Sequence, residues 1–250
     1  MSWQWIKELL SAWLTGLNSK VISKNSETGI ETAPVSEPLP APAPVPAIPE
    51  AKQLLGIDVS HHNGVLDWPK IAAAGVSFAF VKATESTGFV DGQLATNIMR
   101  AKSSGILVGA YHFLRPDASG ELQAQHFLAT LNKLTCDLPP VLDWEASGNL
   151  PRPQQVQCAK AWLAAVQLAT GRVPIIYTGP SFFDELGSPK GFERYPLWIA
   201  HYGVNKPRIP VPWKTCAFWQ FTETRKLPGV PGLFDLNRFI GTRAELKALT

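Results

Sequence analysis

The feature that most constrains the fold is an alternation of predicted strands and helices, followed by three further strands. Short apolar segments alternate with segments that have helix start and stop signals, which predicts five strand–helix units. Seven of the eight predicted strands cover residues 54–60, 76–84, 106–114, 173–178, 197–202, 217–222 and 234–240, and the fourth in chain order starts at Val141 within residues 139–147. Eight strands with helices after only the first five favour a closed α/β barrel with an incomplete outer helix layer. An open, doubly wound sheet is the alternative.

The predicted helices have recognisable ends. Asp67 caps the first, which has Pro69 in its first turn and ends at Gly75. The others cover residues 94–103, 120–134, 153–170 and 181–186. Within 120–134, Leu122, Phe127 and Leu131 are the predicted inward residues.

Two segments of different composition precede the predicted barrel. Residues 1–24 predict an amphipathic helix whose apolar stripe consists of Trp3, Ile6, Leu10, Trp13, Leu14 and Leu17. It is too short and too polar to span a membrane, and it lacks the basic start and cleavage site of a signal peptide. The stripe suits a membrane surface, a groove on a protein partner, or packing on its own domain.

Residues 25–53 contain prolines at seven positions between 34 and 49. Such a run predicts an extended spacer of about 3 Å per residue. The expected organisation is therefore a helix over 1–24, a linker over 25–53 and one catalytic domain over 54–250.

The overall charge excludes one class of partner. The net charge is +3, and lysine and arginine do not cluster, so no nucleic-acid site is predicted. Cys136, Cys158 and Cys216 are odd in number and lack CxxC spacing, which predicts neither a disulfide framework nor a zinc site.

Residues 139–147, PPVLDWEAS, contain two acids two positions apart. Strand alternation places Asp143 and Glu145 on one face, with Cα atoms about 6.5 Å apart. When two carboxyls lie close together, the pKa of one is raised while the other stays ionised. Cleavage of a glycosidic bond uses such a pair as acid and base. The plain structural alternative is two solvated acids at the exit of a strand.

Charged, polar and aromatic residues stand at the ends of the other predicted strands. They include Asp58, Lys82, Glu85, Tyr111, His112, Tyr177, His201, Tyr202, Trp219, Gln220 and Asp235. Because the carboxyl ends of barrel strands form one rim, we expect Asp58, Asp143, Glu145 and Asp235 to meet in one site.

The assembled motifs resemble glycoside hydrolase family 25, the Chalaropsis-type lysozymes. The motifs are GIDVSHHNG, FVKATES, GAYHFLRP, VLDWE, PIIYTG, PLWIAHYG, FWQFT and FDLNRF, in the order of that family and over residues 54 to about 241. The resemblance implies a flattened, TIM-like (β/α)5(β)3 barrel without metal or cofactor. It also implies hydrolysis of the β-1,4 bond between N-acetylmuramic acid and N-acetylglucosamine in the glycan strands of peptidoglycan.

The same resemblance assigns roles to residues. Glu145 matches the general acid and Asp143 its partner carboxylate, while the flanking acids are Asp58 and Asp235. The sugar-binding positions are Tyr111, Tyr177 and Trp219, with Lys82 as a further contact. We expect Glu145 to titrate high while Asp143 stays charged. Attack by an aspartate and attack by the substrate's own acetamido group both remain open.

The sequence also allows two other functions. His61 and His62 beside Asp58 suggest a metal-dependent polysaccharide deacetylase, but no third histidine stands at ligand spacing and no HExxH motif occurs. A non-catalytic wall-binding barrel would lose its acids, whereas all four are present. The cellular location stays open: a phage lysin and a secretion-system effector both fit a chain without a clear signal peptide.

Overall fold

The computed structural model describes residues 54–250. The predicted helix over 1–24 and the linker over 25–53 lie outside the described residues. Within residues 54–250, no helix has the length and apolar character needed to cross a membrane.

Nine strands and six α-helices make up the described part of the chain. The strands are β1 Leu54–Val59, β2 Val76–Glu85, β3 Phe89–Val90, β4 Leu107–Phe113, β5 Val141–Asp143, β6 Ile175–Thr178, β7 Leu197–Ala200, β8 Phe218–Arg225 and β9 Phe234–Phe239. The helices are α1 Trp68–Ala73, α2 Leu94–Ser103, α3 Gly120–Leu131, α4 Arg152–Thr170, α5 Pro180–Glu185 and α6 Arg243–Ala248, with a 3-10 turn at His61–Asn63. Asp67 caps α1, as predicted: its Oδ1 accepts a hydrogen bond from the backbone N–H of Lys70.

Eight of the strands close into a barrel. Around it run β1, β2, β4, β5, β6, β7, β8 and β9, and β9 pairs back to β1. Neighbours are parallel, except that β9 is antiparallel to both β8 and β1. The short β3 pairs only with the end of β2. This closure confirms the predicted barrel and excludes the open sheet.

Aromatic side chains fill the interior of the barrel. Strand alternation directs one set of residues inward, where Phe80 stacks on Trp198 with ring centroids 4.5 Å apart. Gly56 and Gly109 make room for this filling. A Cβ on Gly56 would lie 2.2 Å from the ring of Phe78, and one on Gly109 would lie 2.7 Å from the ring of Phe80. The barrel is therefore a packed core rather than a pore, and a ligand can bind only at its ends.

The opposite face of the strands packs on the helices. His112 points outward: its ring stacks on Trp162, hydrogen-bonds to Thr84 and Gln123, and has a pKa lowered to about 4 by burial. His112, at the end of a predicted strand, thus belongs to the layer between the strands and the helices rather than to the barrel mouth. The prediction that Leu122 faces inward was wrong, because α3 turns Gln123, Ala124 and Phe127 to the barrel.

We predict that Phe80→Ala lowers the free energy of unfolding by about 3–5 kcal/mol, because it opens a cavity among close-packed rings. Leu122→Ala is the control, since Leu122 is 54% exposed and its loss should cost under about 0.5 kcal/mol. Urea unfolding of both variants measures the difference. Equal losses would contradict the assignment of the core.

Candidate active site

The four acids gather at the end of the barrel where the parallel strands finish. Asp58 lies near the end of β1, Asp143 ends β5, and Glu145 follows two residues later. Asp235 is the second residue of β9. Because β9 runs antiparallel to its neighbours, its start lies at the same rim as their ends. The structure thus brings together all four acids that the sequence placed in one site.

Two buried amides hold one oxygen of Asp58. Asn237 Nδ2 donates to Asp58 Oδ1 at 2.6 Å, and Gln220 Nε2 donates to the same oxygen at 2.9 Å. Trp198 Nε1 donates to Asn237 Oδ1 at 2.7 Å, which fixes the orientation of that amide. Gln220 Oε1 likewise accepts from Tyr177 and Tyr202. Asp58 Oδ1 is therefore held as an acceptor by two oriented donors.

The carboxyls of Asp58 and Asp235 act directly on each other's ionisation, and two such close, buried carboxyls are most stable when they hold one proton between them. Burial raises the pKa of Asp58, while the Asn237 and Gln220 amides oppose that rise. Burial, together with the charge and hydrogen bond of Asp58, raises the pKa of Asp235 to about 7. The pair therefore holds its shared proton across the acidic pH range, with Asp235 as the protonated partner.

Asp143 and Glu145 are separated by a tryptophan that faces the other way. Trp144 is fully buried on the outer side of the barrel, where it packs against Phe183 and Phe192. Alternation therefore turns Asp143 and Glu145 toward the mouth. Asp143 is 7% exposed, whereas Glu145 is exposed and so within reach of a ligand.

Both carboxyls of this pair have a raised pKa. Burial, and then the charge of Glu145, raises the pKa of Asp143 well above its usual range, against the opposing charge of Lys82. Burial also raises the pKa of Glu145, which Lys82 again opposes. We expected only Glu145 to titrate high, but the pKa of Asp143 is raised as well, because Asp143 lies deeper than Glu145 and its Oδ1 has no hydrogen-bond partner among the described residues.

A network of paired charges anchors Lys82 beside these acids. Lys82 Nζ donates to Glu85 Oε2 at 2.6 Å, and Arg115 donates to Glu85 Oε1 through Nε at 2.8 Å and Nη2 at 2.6 Å. Lys82 Nζ also lies 5.0 Å from the ring centroid of Phe113 and 5.4 Å from that of Phe89. This fixed ammonium is a counter-charge to Asp143 and Glu145.

The two tyrosines expected to bind sugar lie in the site. The phenol of Tyr111 is partly exposed, and burial and then the charge of Asp143 raise its pKa, so it stays a hydrogen-bond donor. Tyr177 is buried, and its hydroxyl donates to Gln220, 2.8 Å away. Tyr177 therefore fixes the orientation of Gln220, which in turn donates to Asp58.

Trp219 does not lie in the site. It is 4% exposed on the outer side of β8, where its Nε1 donates to the His201 carbonyl oxygen at 2.8 Å and the Arg238 guanidinium lies 5.2 Å from its ring. The neighbouring Gln220 faces inward instead. Trp219 was expected at a sugar-binding position, but strand alternation turns it to the outer face of β8, where a sugar in the barrel mouth does not meet it.

Sequence reasoning gave no role to Asn237, Trp198 and Arg115, although all three belong to the site network. One signal was available: Asn237 stands two positions after Asp235 in a strand and so shares its face.

His61 and His62 do not form a metal site. His61 Nδ1 hydrogen-bonds to Asp91 Oδ2 at 2.8 Å. Across residues 54–250, no group of three or more His, Cys, Asp or Glu residues is arranged to hold a metal ion.

A closed α/β barrel with coupled carboxyls at the ends of its strands is typical of an enzyme that hydrolyses glycosidic bonds. Comparison with known proteins makes this specific, because the family model for "Glycosyl hydrolases family 25" matches residues 57–230. The chain belongs to glycosyl hydrolases family 25, as its motifs predicted.

Relatives and solved structures agree with this membership. Lysozyme M1 of Streptomyces globisporus is 39% identical over 206 residues, covering 78% of this chain and 70% of that protein. An N,O-diacetylmuramidase of Arthroderma benhamiae is 29% identical, covering 74% of this chain and 83% of that protein. The crystal structure of a lysozyme from Streptomyces coelicolor has a TM-score of 0.74 and 37% identity, covering 78% of this chain and 96% of that one. The chain is accordingly a glycosidase of the muramidase type, and the deacetylase and non-catalytic alternatives are not favoured.

We predict that Asp235→Asn flattens the dependence of stability on pH. With a pKa raised from 3.8 to about 7, Asp235 binds its proton more tightly in the folded state. Its contribution to stability is therefore complete below about pH 4 and is lost as the pH rises through about 7. The free energy of unfolding of the variant should fall less steeply between pH 4 and 7.

Chemical denaturation at several pH values measures this slope. Asp117→Asn, at an exposed position in the loop before α3, is the control. A slope that stays the same in Asp235→Asn would contradict the shared proton.

Proposed function

We propose that this chain hydrolyses the glycan strands of peptidoglycan at the β-1,4 bond between N-acetylmuramic acid and N-acetylglucosamine, with Glu145 as general acid. The observation that supports this most directly is an exposed carboxyl of raised pKa beside three other acids at the mouth of a family 25 barrel. Relatives named as a lysozyme and an N,O-diacetylmuramidase support the choice of substrate.

Glu145 suits the acid role because of its position and its proton. It is the most exposed of the four acids, so a glycosidic oxygen can approach it. Partial desolvation at the mouth, with the charge of Asp235, raises the pKa of Glu145, which keeps the proton available for donation. Lys82 limits that rise, so the proton can still leave.

The remaining acids suit stabilisation of a cationic sugar. As positive charge develops at the anomeric carbon, it favours the ionised forms of Asp143 and Asp58. Asp58 is already oriented by its two amide donors, so little reorganisation is needed when the charge appears. Attack by an aspartate and attack by the substrate's acetamido group, oriented by Asp143, both retain the configuration and both need Glu145 first as acid and then as base.

We also propose the division into a helix over 1–24, a linker over 25–53 and a catalytic domain over 54–250. The amphipathic pattern of residues 1–24 supports a role in attachment to a membrane surface or a protein partner. The family match, which begins at residue 57, supports the start of the domain.

We predict that Glu145→Gln lowers the rate of peptidoglycan hydrolysis by about 10²–10⁴-fold, because the amide cannot donate a proton to the leaving oxygen. The release of reducing sugar ends from purified peptidoglycan measures the rate. Glu185→Gln, at an exposed position on α5, is the matched control and should retain normal activity. Near-normal activity of Glu145→Gln with an unchanged melting temperature would rule out the assignment.

We predict that Trp198→Phe raises the pKa of the acidic limb in the pH profile of kcat/KM. Without the indole N–H, the Asn237 amide is free to turn its oxygen toward Asp58, which disfavours the charged form of that acid.

Trp68→Phe is the matched control for this change. Trp68 is also fully buried, and its Nε1 donates to the side-chain oxygen of Asn97 at 3.2 Å, away from the site. Both variants should lose stability, but only Trp198→Phe should shift the acidic limb. The same profile in both variants would mean that the Trp198 bond serves packing alone.

A further inference from the structure

An exposed aromatic strip lies beside Lys82, and apart from the contact between Phe89 and Lys82 the chemistry described above does not involve it. We call it the His61–Phe89 strip, and it consists of His61, His62 and Phe89. The rings of His61 and His62 lie 3.9 Å apart, and those of His61 and Phe89 lie 5.5 Å apart. Phe89 is 40% exposed, and His62 is exposed as well. Three adjoining rings at a surface form a platform rather than part of the core.

The strip is held rigidly from below. Asp91 is buried, and its Oδ2 accepts from both the backbone N–H and the Nδ1 of His61, each at 2.8 Å. Asp91 Oδ1 accepts from the backbone N–H of Gln93 at 2.8 Å. Because Nδ1 of His61 is occupied by Asp91, its Nε2 is the nitrogen left to meet a ligand. A platform fixed in this way loses little conformational entropy on binding.

The strip is continuous with the acids. Lys82 Nζ lies 5.4 Å from the ring centroid of Phe89, and the same ammonium acts on Asp143 and Glu145. His61 stands three positions after Asp58 in the chain. A ligand that reaches Glu145 and extends past Lys82 therefore meets Phe89 next.

The barrel does not need the strand that presents Phe89. β3 pairs only with the last two residues of β2, through Thr84 with Val90 and Glu85 with Phe89, and takes no part in closure. His126 on α3 hydrogen-bonds to the Phe89 carbonyl oxygen at 2.9 Å and anchors the strand. β3 is thus an anchored extra strand that presents the exposed Phe89 ring next to Lys82.

We propose that the His61–Phe89 strip binds a sugar ring of the glycan strand beyond the two rings that flank the cleaved bond. The inference rests on the proposed function, since a polymeric substrate continues past its cleavage site. The Phe89 ring packs on the C–H face of the sugar, and His61 Nε2 hydrogen-bonds to a hydroxyl or acetamido group.

A sugar fits the strip better than an acidic peptide stem does. The cation beside Phe89, Lys82, is already paired with Glu85 at 2.6 Å and does not require an anionic ligand. Aromatic rings and one imidazole nitrogen instead match an uncharged ring with an apolar face and polar edges.

The test compares KM and kcat on peptide-free glycan oligosaccharides of increasing length. Phe89→Ala should raise KM about three- to tenfold on long oligosaccharides, the size expected for loss of one aromatic contact. Its kcat, and its KM on the shortest cleavable oligosaccharide, should stay as in the wild type. His62→Ala should show the same length dependence, and Phe89→Tyr should restore the KM because it keeps the ring.

Val90→Ala is the matched control. Val90 is 46% exposed on the same short strand, but alternation turns it away from Phe89. Its KM should equal that of the wild type at every length.

Three results would overturn the proposal. The first is an unchanged KM of Phe89→Ala on long oligosaccharides. The second is a kcat that falls equally at all lengths, which would mean that Phe89 acts through Lys82. The third is a rise in KM that appears only when peptide stems are attached to the glycan. Titration of long oligosaccharides into Glu145→Gln and into Glu145→Gln with Phe89→Ala measures binding without cleavage. Weaker binding by the second protein supports the strip even if the wild type fails to cleave, which would count against the proposed function alone.

Discussion

The site depends on the cost of placing four carboxyls in one partly buried mouth. Burial and mutual repulsion both disfavour ionisation, so the acids cannot all be charged together. The surrounding residues reduce this cost in two ways. Asn237 and Gln220 donate to Asp58, and Lys82 supplies a positive charge to Asp143 and Glu145. The rings packed beneath exclude water from the interior and keep these polar groups at one end of the barrel.

Different surroundings give the same chemical group different properties. Asp58 is held as an acceptor, Asp235 keeps the shared proton, Asp143 is the most buried, and Glu145 faces the solvent. The chemistry follows from where each carboxyl lies rather than from its intrinsic acidity. The ion pair of Lys82 and Glu85 lies between the acids and the His61–Phe89 strip, so the same ammonium group adjoins both.

Much of this could be predicted from the sequence, because strand–helix alternation and strand ends are local patterns. They placed Asp58, Asp143 and Glu145 at one rim, and Asp235 joined them because β9 runs backwards. The Asp58 amides could not be predicted, since Gln220 and Asn237 are 162 and 179 residues away in the chain. The side of β8 on which Trp219 lies could not be predicted safely, because a shift of one residue along a strand moves a side chain to the opposite face. The ionisation of Asp143 depended on depth, which a sequence does not record.

The most direct test of the shared-proton account is a pH titration of the carboxyl carbons of aspartate and glutamate, followed by NMR with carbon-13 labelling. We predict that Asp58, Asp143, Glu145 and Asp235 all titrate above their ordinary values, with Asp235 near 7 and with linked steps among the four. Four independent titrations near pH 4 would contradict the account.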